Sequence, residues 1–466
     1  MINNPPNEAK WNATEYRPVG ERTLDFKEVT QTPMVSAVEG EARRCMDCGV
    51  PFCHGETGCP LGNLIPEWNA LAGRGQWSEA LQRLHATNNF PEFTSRLCPA
   101  PCEPACVLDL QNSPVHIKSI ERQIIDHGWS ENLIQPLKPE QKLDTEIAVI
   151  GSGPAGLSCA QELARKGYQV TVYEREQAFG GLLRFGIPDF KMEKSLIDRR
   201  IEQMRLEGVK FIAGVEIGRH LAFKELRKTF DAIAIAIGSE RPRDLLIPGR
   251  DLTGIHLAMD YLVTQNKAIV CGGKIPPAFN AAGKRVIILG GGDTGSDCLG
   301  TALRQNAQGV SQLEIQLKPP TERSTATPWP YWPLKLRTSH AHEEGGQRHW
   351  DLTTLEFKGQ NGQLTSLVCR NNQTQETVEL QADMVILALG FTGISAAAMN
   401  AFDDLAIDAR GRIVTNTHFQ TSLAAVYAGG DAKRGASLIV WAIAEGRKMA
   451  ATIDQRIKQR IDGRKI

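Results

Sequence analysis

Two apolar patterns divide this chain. From residue 147 onward, short apolar runs each end in glycine: 147–150 before Gly151, 233–237 before Gly238, 285–289 (apolar after Arg285) before Gly290, 384–389 before Gly390 and 424–428 before Gly429. Runs of this length without polar alternation predict parallel strands buried on both faces. Helical periodicity follows several of them, predicting helices over 157–166, 297–305 and 437–455. The first 140 residues differ. Ile65, Trp68, Leu71 and Ala72 make one helical stripe, Ala80, Leu81 and Leu84 a second, and Ile117, Ile120 and Ile124 a third. Residues 1–40, punctuated by Pro5, Pro6, Pro18 and Pro33, have little periodicity and predict an extended arm, while 130–146 is a polar linker.

Three of the strand-to-helix junctions carry chemistry. Residues 147–150 run into Gly151-Ser152-Gly153-Pro154-Ala155-Gly156, and a second strand, 169–173, ends at Glu174. Gly151, Gly153 and Gly156 permit the tight turn, the close approach of backbone to a pyrophosphate and close helix–strand packing, and Glu174 can accept from a ribose hydroxyl. The pattern repeats at Gly290-Gly291-Gly292-Asp293-Thr294-Gly295. Gly290, Gly292, Asp293 and Gly295 thus define a second dinucleotide site. Its next strand, expected at 313–317, ends in Lys318, which with Arg323 would suit a 2′-phosphate and leans the site toward NADPH; solvated surface charge is the alternative. A third junction, Gly429-Gly430-Asp431, puts Gly430 and Asp431 where a flavin ribityl or phosphate could meet them, ahead of a helix N-terminus.

The architecture expected is α/β: an N-terminal α-helical iron–sulfur domain (1–140), then two Rossmann-like dinucleotide-binding domains. One is split (141–257 and 378–466) and receives the other (258–377) as an insertion. Two facing dinucleotide sites are what hydride transfer between a nicotinamide and a flavin requires.

Seven of the eleven cysteines crowd into the helical domain, as Cys45-x-x-Cys48-x4-Cys53-x5-Cys59-Pro60 and Cys98-x3-Cys102-x3-Cys106. The first group has the spacing habit of ferredoxins. Two tetranuclear clusters need eight ligands, so one is missing. Glu121 lies on the stripe of Ile117 and Ile124, and a buried carboxylate needs a positive partner, an iron or Lys118 among the candidates. Zinc is the alternative reading of the cysteines. Cys159, Cys271, Cys298 and Cys369 are isolated and read as small core residues, and His340, His342 and His349 lack a compact ligand set.

Composition narrows the class further. The chain has 466 residues with 53 basic and 53 acidic, so overall charge indicates neither a nucleic acid nor an anionic membrane partner. No signal-like or membrane-spanning run is evident, and a cytoplasmic setting, where thiols stay reduced, favours metal ligation over disulfides. The segment 319–333, rich in proline and aromatic residues, reads as a long irregular loop.

Taken together, Cys45-Met46-Asp47-Cys48-Gly49-Val50-Pro51-Phe52-Cys53, Cys59-Pro60, Asn88-Asn89-Phe90-Pro91-Glu92 before Cys98-Pro99, both glycine fingerprints and Gly429-Gly430-Asp431 resemble the small (beta) subunit of glutamate synthase over essentially the whole chain. The resemblance implies FAD at the Gly151 site, a nicotinamide dinucleotide at the Gly290 site and two 4Fe–4S clusters. One cluster would take Cys45, Cys48, Cys53 and Cys106, and the other Cys59, Cys98, Cys102 and Glu121. The Cys53–Cys59 spacing and the shortened Cys98 group look like the variant of fused and plant-like forms. The arginine pair that often marks NADPH preference is missing, which keeps NADH open.

The function expected is oxidation of NAD(P)H at FAD, with electrons passing through the clusters to a large (alpha) subunit that makes L-glutamate from L-glutamine and 2-oxoglutarate. No catalytic side chain is named, because the cofactors supply the chemistry. The alternatives are an electron-input module for another partner, such as a ferredoxin or a dihydropyrimidine dehydrogenase-like enzyme, and a zinc-stabilised flavoprotein without electron transfer. A thioredoxin-reductase-type enzyme is disfavoured, since no Cys-x-x-Cys follows residue 150.

Overall fold

The computed structural model describes residues 16–402 and 404–463. The expected arm is described only from Tyr16. It packs back on the chain, Val29 N donating to the Phe190 carbonyl at 2.9 Å and Arg22 reaching Glu344 Oε1 at 2.8 Å. Residues Val35–Arg43 are helical and join the helical domain, contrary to an extended course. Val38 and Ala42 supply the apolar face that holds them there.

Helices Ile65–Ala72, Trp77–Thr87, Pro91–Leu97 and Ile117–Ser130 build the rest of that domain. The predicted stripes form its core: Ile65, Trp68, Leu84, Ile120 and Ile124 are fully buried. Packing of these faces, rather than helix propensity, stabilises elements this short.

Two five-stranded parallel sheets follow. The first runs Val426–Ala428, Ala232–Ile235, Glu146–Ile150, Gln169–Tyr173, Lys210–Ile212 in spatial order. The second has the same order of roles: Ile255–Leu257, Met384–Leu387, Arg285–Leu289, Gly309–Leu313, Gln347–His349. In each, the strand before the glycine fingerprint is central and pairs in parallel with the strand that follows the fingerprint helix. The second sheet uses strands at 255–257 and 384–387, both outside the limits 258–377 expected for it. Met384–Leu387 pairs with Val286–Leu289 register by register, so this apolar run belongs with the second fingerprint and not with the first.

A three-stranded antiparallel sheet, Leu352–Gln360, Gln363–Asn371 and Thr377–Gln381, was not anticipated from the sequence. Apart from Gly359 and Val378 its exposed positions are polar, which hid it among loops. The C-terminal helix Ile439–Gly463 returns to the first unit and packs on helix Pro154–Arg165. Gly446 allows that approach: a Cβ there would lie 2.2 Å from the Ala155 carbonyl oxygen. Among the described residues no helix is long and apolar enough to cross a membrane.

Candidate cofactor sites

The first fingerprint turn is shaped by its glycines. Gly151 has φ +100°, and a Cβ there would sit 2.5 Å from the Ala236 carbonyl oxygen; one on Gly156 would sit 2.0 Å from the carbonyl oxygen of Gly151. Gly153 begins the helix and faces open space. Glu174 follows the second strand, its Oε2 accepting from Ser152 N (3.1 Å) and Oγ (2.5 Å) and its Oε1 from Glu176 N (3.0 Å). Gly151, Gly153 and Glu174 line one cavity of about 370 Å³ together with Asp431. Gly430, at φ +67°, turns the chain into that junction. Asp431 accepts from Ser437 Oγ at 2.6 Å, and burial pushes its carboxyl up to about 6.

The second fingerprint repeats this geometry. Gly290 has φ +122° and faces the Ala388 carbonyl oxygen, Gly295 abuts the Gly290 carbonyl, and Gly292 faces open space. The helix starts at Asp293 rather than at 297 as expected, because the glycine turn itself supplies its N-terminus. Asp293 lines the 370 Å³ cavity too, and Glu240 lines both that cavity and the cleft formed by Leu257, Ala258, Thr294 and Ala388. The two cavities therefore share Glu240 as a wall.

Sequence reading misplaced the end of the second site's strand. Parallel pairing with Arg285–Leu289 fixes the strand at Gly309–Leu313, four residues before the expected position. The residue at its end is Glu314, not Lys318. Glu314 Oε2 accepts from Gly291 N at 2.7 Å. Lys318 is exposed and leans over the Trp350 ring at 5.1 Å. Arg323 is also turned away, donating to Asp109 Oδ2 at 2.6 Å and to the Pro104 carbonyl at 2.9 Å. The signal that could have found Glu314 was spacing: it lies 24 residues after Gly290, as Glu174 lies 23 after Gly151.

The seven clustered cysteines and Glu121 fall into two sets. Cys59, Cys98, Cys102 and Glu121 line one small cavity, with Lys118 and Val440; Cys45, Cys48, Cys53 and Cys106 line another. Ile65 and Ile117 belong to the walls of both. Each set thus gathers four candidate ligands around one cavity. Four ligands about one cavity is the number a tetranuclear cluster takes, and structural zinc takes four as well. Burial pushes the thiols of Cys53 and Cys98 up to about 12 and Cys59 up to about 11, so ionising them needs a strong local positive charge, which cluster iron would provide. Ala100 N donates to Cys98 Sγ at 3.4 Å. Burial likewise raises the Glu121 carboxyl to about 7, against opposing hydrogen bonds. Its Oε1 is held by Thr94 Oγ1 (2.6 Å) and Asn88 Nδ2 (3.0 Å).

The proline-rich loop is irregular, as expected, and closes over the second cysteine set. Trp329 Nε1 donates to the Cys106 carbonyl at 3.1 Å and its ring meets Phe52 edge-on at 4.8 Å. Of the three histidines, His340 Nδ1 lies 3.2 Å from Glu344 Oε1. His342 completes a helix cap with Ser339 and contacts Gln312.

Comparison with known proteins agrees with this layout. Residues 145–446 match the family model for pyridine nucleotide-disulphide oxidoreductases, and residues 22–133 match dihydropyrimidine dehydrogenase domain II, 4Fe-4S cluster. Among solved structures, FprA from Mycobacterium tuberculosis in complex with NADPH shares the fold, with TM-score 0.55 and 19% identity over 69% of this chain and 86% of that one. The class is thus a pyridine-nucleotide oxidoreductase with an N-terminal 4Fe–4S domain. The glutamate synthase [NADPH] small chain of M. tuberculosis is 49% identical over 94% of this chain and 92% of its own length, and that of Bacillus subtilis 42% identical over 93% and 94%. The glutamate synthase [NADH] of Schizosaccharomyces pombe is 43% identical over 95% of this chain, which spans 22% of that protein. The chain belongs to the glutamate synthase small-chain family.

Proposed function

We propose that this chain is the electron-input subunit of a glutamate synthase, oxidising a nicotinamide dinucleotide and delivering electrons to a large subunit that forms L-glutamate from L-glutamine and 2-oxoglutarate. FAD would occupy the Gly151 cavity with Gly153, Gly156, Glu174, Gly430 and Asp431 around it, and the nicotinamide dinucleotide the Gly290 site with Gly292, Asp293 and Gly295. Two 4Fe–4S clusters would be held by the two cysteine sets, Glu121 serving as the eighth ligand. The flavin accepts a two-electron hydride and the clusters carry electrons singly, which is the chemistry these groups supply when bound.

The carrying observation is the direction of neighbouring side chains. Leu97 and Pro99 line the FAD cavity while Cys98, between them, lines the cavity of Cys59, Cys102 and Glu121. Likewise Leu438 and Ile439 face the first and Val440 the second. The set of Cys59, Cys98, Cys102 and Glu121 is thus the inner station. That of Cys45, Cys48, Cys53 and Cys106 is the outer one, reached across Ile65 and Ile117, with Cys45, Cys48 and Cys106 only partly buried. The protein's own task is to hold these sites in line and dry.

This reading divides the chain into a helical cluster domain to about residue 140, a flavin domain of two segments, and a nicotinamide domain between them that takes in the strands at 255–257 and 384–387. The reduced cysteines it requires suit the cytoplasm. Anaerobic mixing of the purified holoprotein with a reduced nicotinamide should bleach the flavin band and produce the paramagnetic signal of reduced clusters, and glutamate should form when the large subunit is added. Flavin reduction without any cluster signal would refute the relay, and absence of complex formation would refute the partner.

A further inference from the structure

Family membership leaves the choice of nucleotide open, since the relatives' names divide between NADPH and NADH. We infer that Glu314 makes this subunit selective for NADH and rejects the 2′-phosphate of NADPH. The inference rests on the proposed nicotinamide site at Gly290 and deepens it.

The argument is one of duplicated geometry. At the flavin site Ile150 pairs with Tyr173, and at the second site Leu289 pairs with Leu313. The next residue is a glutamate in both. Glu174 N donates to the Ile212 carbonyl and its own carbonyl accepts from Val215 N, both at 2.9 Å. Glu314 N donates to the His349 carbonyl at 2.9 Å and its carbonyl accepts from Leu352 N at 3.2 Å. The side chains repeat too. Each Oε2 accepts from the backbone N–H one residue after the first glycine, Ser152 or Gly291, and each Oε1 from the backbone N–H two residues beyond the glutamate, Glu176 or Gln316. Gly291 is fitted to this arrangement, because a Cβ there would come within 2.5 Å of Glu314 Oε2.

A carboxylate has about four acceptor positions, and two N–H donors leave room for a ribose diol. At the end of this strand such an acid bonds the adenosine ribose 2′-hydroxyl. A 2′-phosphate placed there would bring its charge against a carboxylate that the backbone holds in place. The cations that follow in the chain have other contacts. Ile315 and Gln316, which follow Glu314, are exposed and uncharged. Lys318 and Arg348 both lie over the Trp350 ring, at 5.1 and 4.9 Å, and Arg337 lies over Trp332 at 3.6 Å. Arg323 is committed to Asp109.

The test is flavin reduction of the holoprotein by NADH and by NADPH, together with displacement of NAD⁺ by adenosine 5′-monophosphate and by adenosine 2′,5′-bisphosphate, which needs no turnover. A like-charge clash of this kind predicts a preference for NADH on the order of 100-fold, and weaker displacement by the bisphosphate to a similar degree. Glu314→Ser should lower that ratio at least about tenfold by improving NADPH, while Glu314→Gln, which keeps the shape, should narrow it less. Equal or better use of NADPH by the unmodified protein would overturn the inference, as would an unchanged ratio in a Glu314→Ser protein that retains its flavin and iron. If neither nucleotide reduces the flavin, the site assignment itself fails and the selectivity falls with it.

Discussion

Helix Pro91–Leu97 of the cluster domain is joined to helix Ser195–Leu206 of the flavin unit by one buried ion pair, and its removal should be costly. Arg200 donates from Nε to Glu92 Oε1 and from Nη2 to Glu92 Oε2, both at 2.7 Å, and both residues are fully buried. Glu92→Ala leaves the guanidinium in the same dry site with Gln203 Oε1 as its remaining side-chain hydrogen-bond acceptor, at 2.5 Å. Breaking one partner out of such a pair costs about 3–5 kcal/mol, and the surviving Gln203 bond places the expectation near the lower end, at about 3 kcal/mol. Replacing both, as Glu92→Leu with Arg200→Met, removes the orphaned charge and should restore the protein to within about 2 kcal/mol of the original. Anaerobic urea unfolding of the holoprotein, followed by tryptophan fluorescence, provides the readout, since the Trp129 ring lies 5.0 Å from the Arg200 guanidinium carbon. A loss below about 1 kcal/mol in Glu92→Ala, or single-substitution losses that add in the double variant to within about 0.5 kcal/mol, would refute the reasoning.

Two further outcomes can be checked independently. Glu121→Ala should remove or convert only the inner cluster, so that iron content falls by up to about half while the signal of the outer cluster persists; unchanged iron and spectrum would contradict the ligand assignment. Burial, aided by Arg348 and His340, lowers the His342 imidazole from its usual 6.5 to about 4. The native state thus binds fewer protons than the unfolded state across that interval. Stability from this residue is complete above about pH 6.5 and falls by about 2–3 kcal/mol as pH drops toward 4, with partial exposure reducing the figure. His342→Gln should flatten that part of the stability profile, and an unaltered slope in urea titrations would count against it.

Much of the site was legible because its signals are local. Glycines at fixed spacing report the turn they permit, as at Gly151 and Gly290, and the phase of Glu121 on its helix follows from 3.6-residue periodicity alone. The crowding of seven cysteines into the helical domain is likewise visible in the chain itself. What local pattern could not supply was the place where a strand stops. An apolar run buried on both faces has no alternation to mark its ends, and hydrogen bonds to a distant strand decide them.

That difference separates what the chain determines by itself from what the fold decides. By itself the sequence determined the two dinucleotide turns, the thiol-rich helical domain and the phase of Glu121, since each depends on residues a few positions apart. The tertiary structure alone moved the acid of the second site from apparent absence to Glu314, assigned Met384–Leu387 to the second sheet and seated Trp329 beside Cys106. Each of these is a contact between segments far apart in the chain, and its existence depends on backbone pairing and packing that no short window of sequence contains.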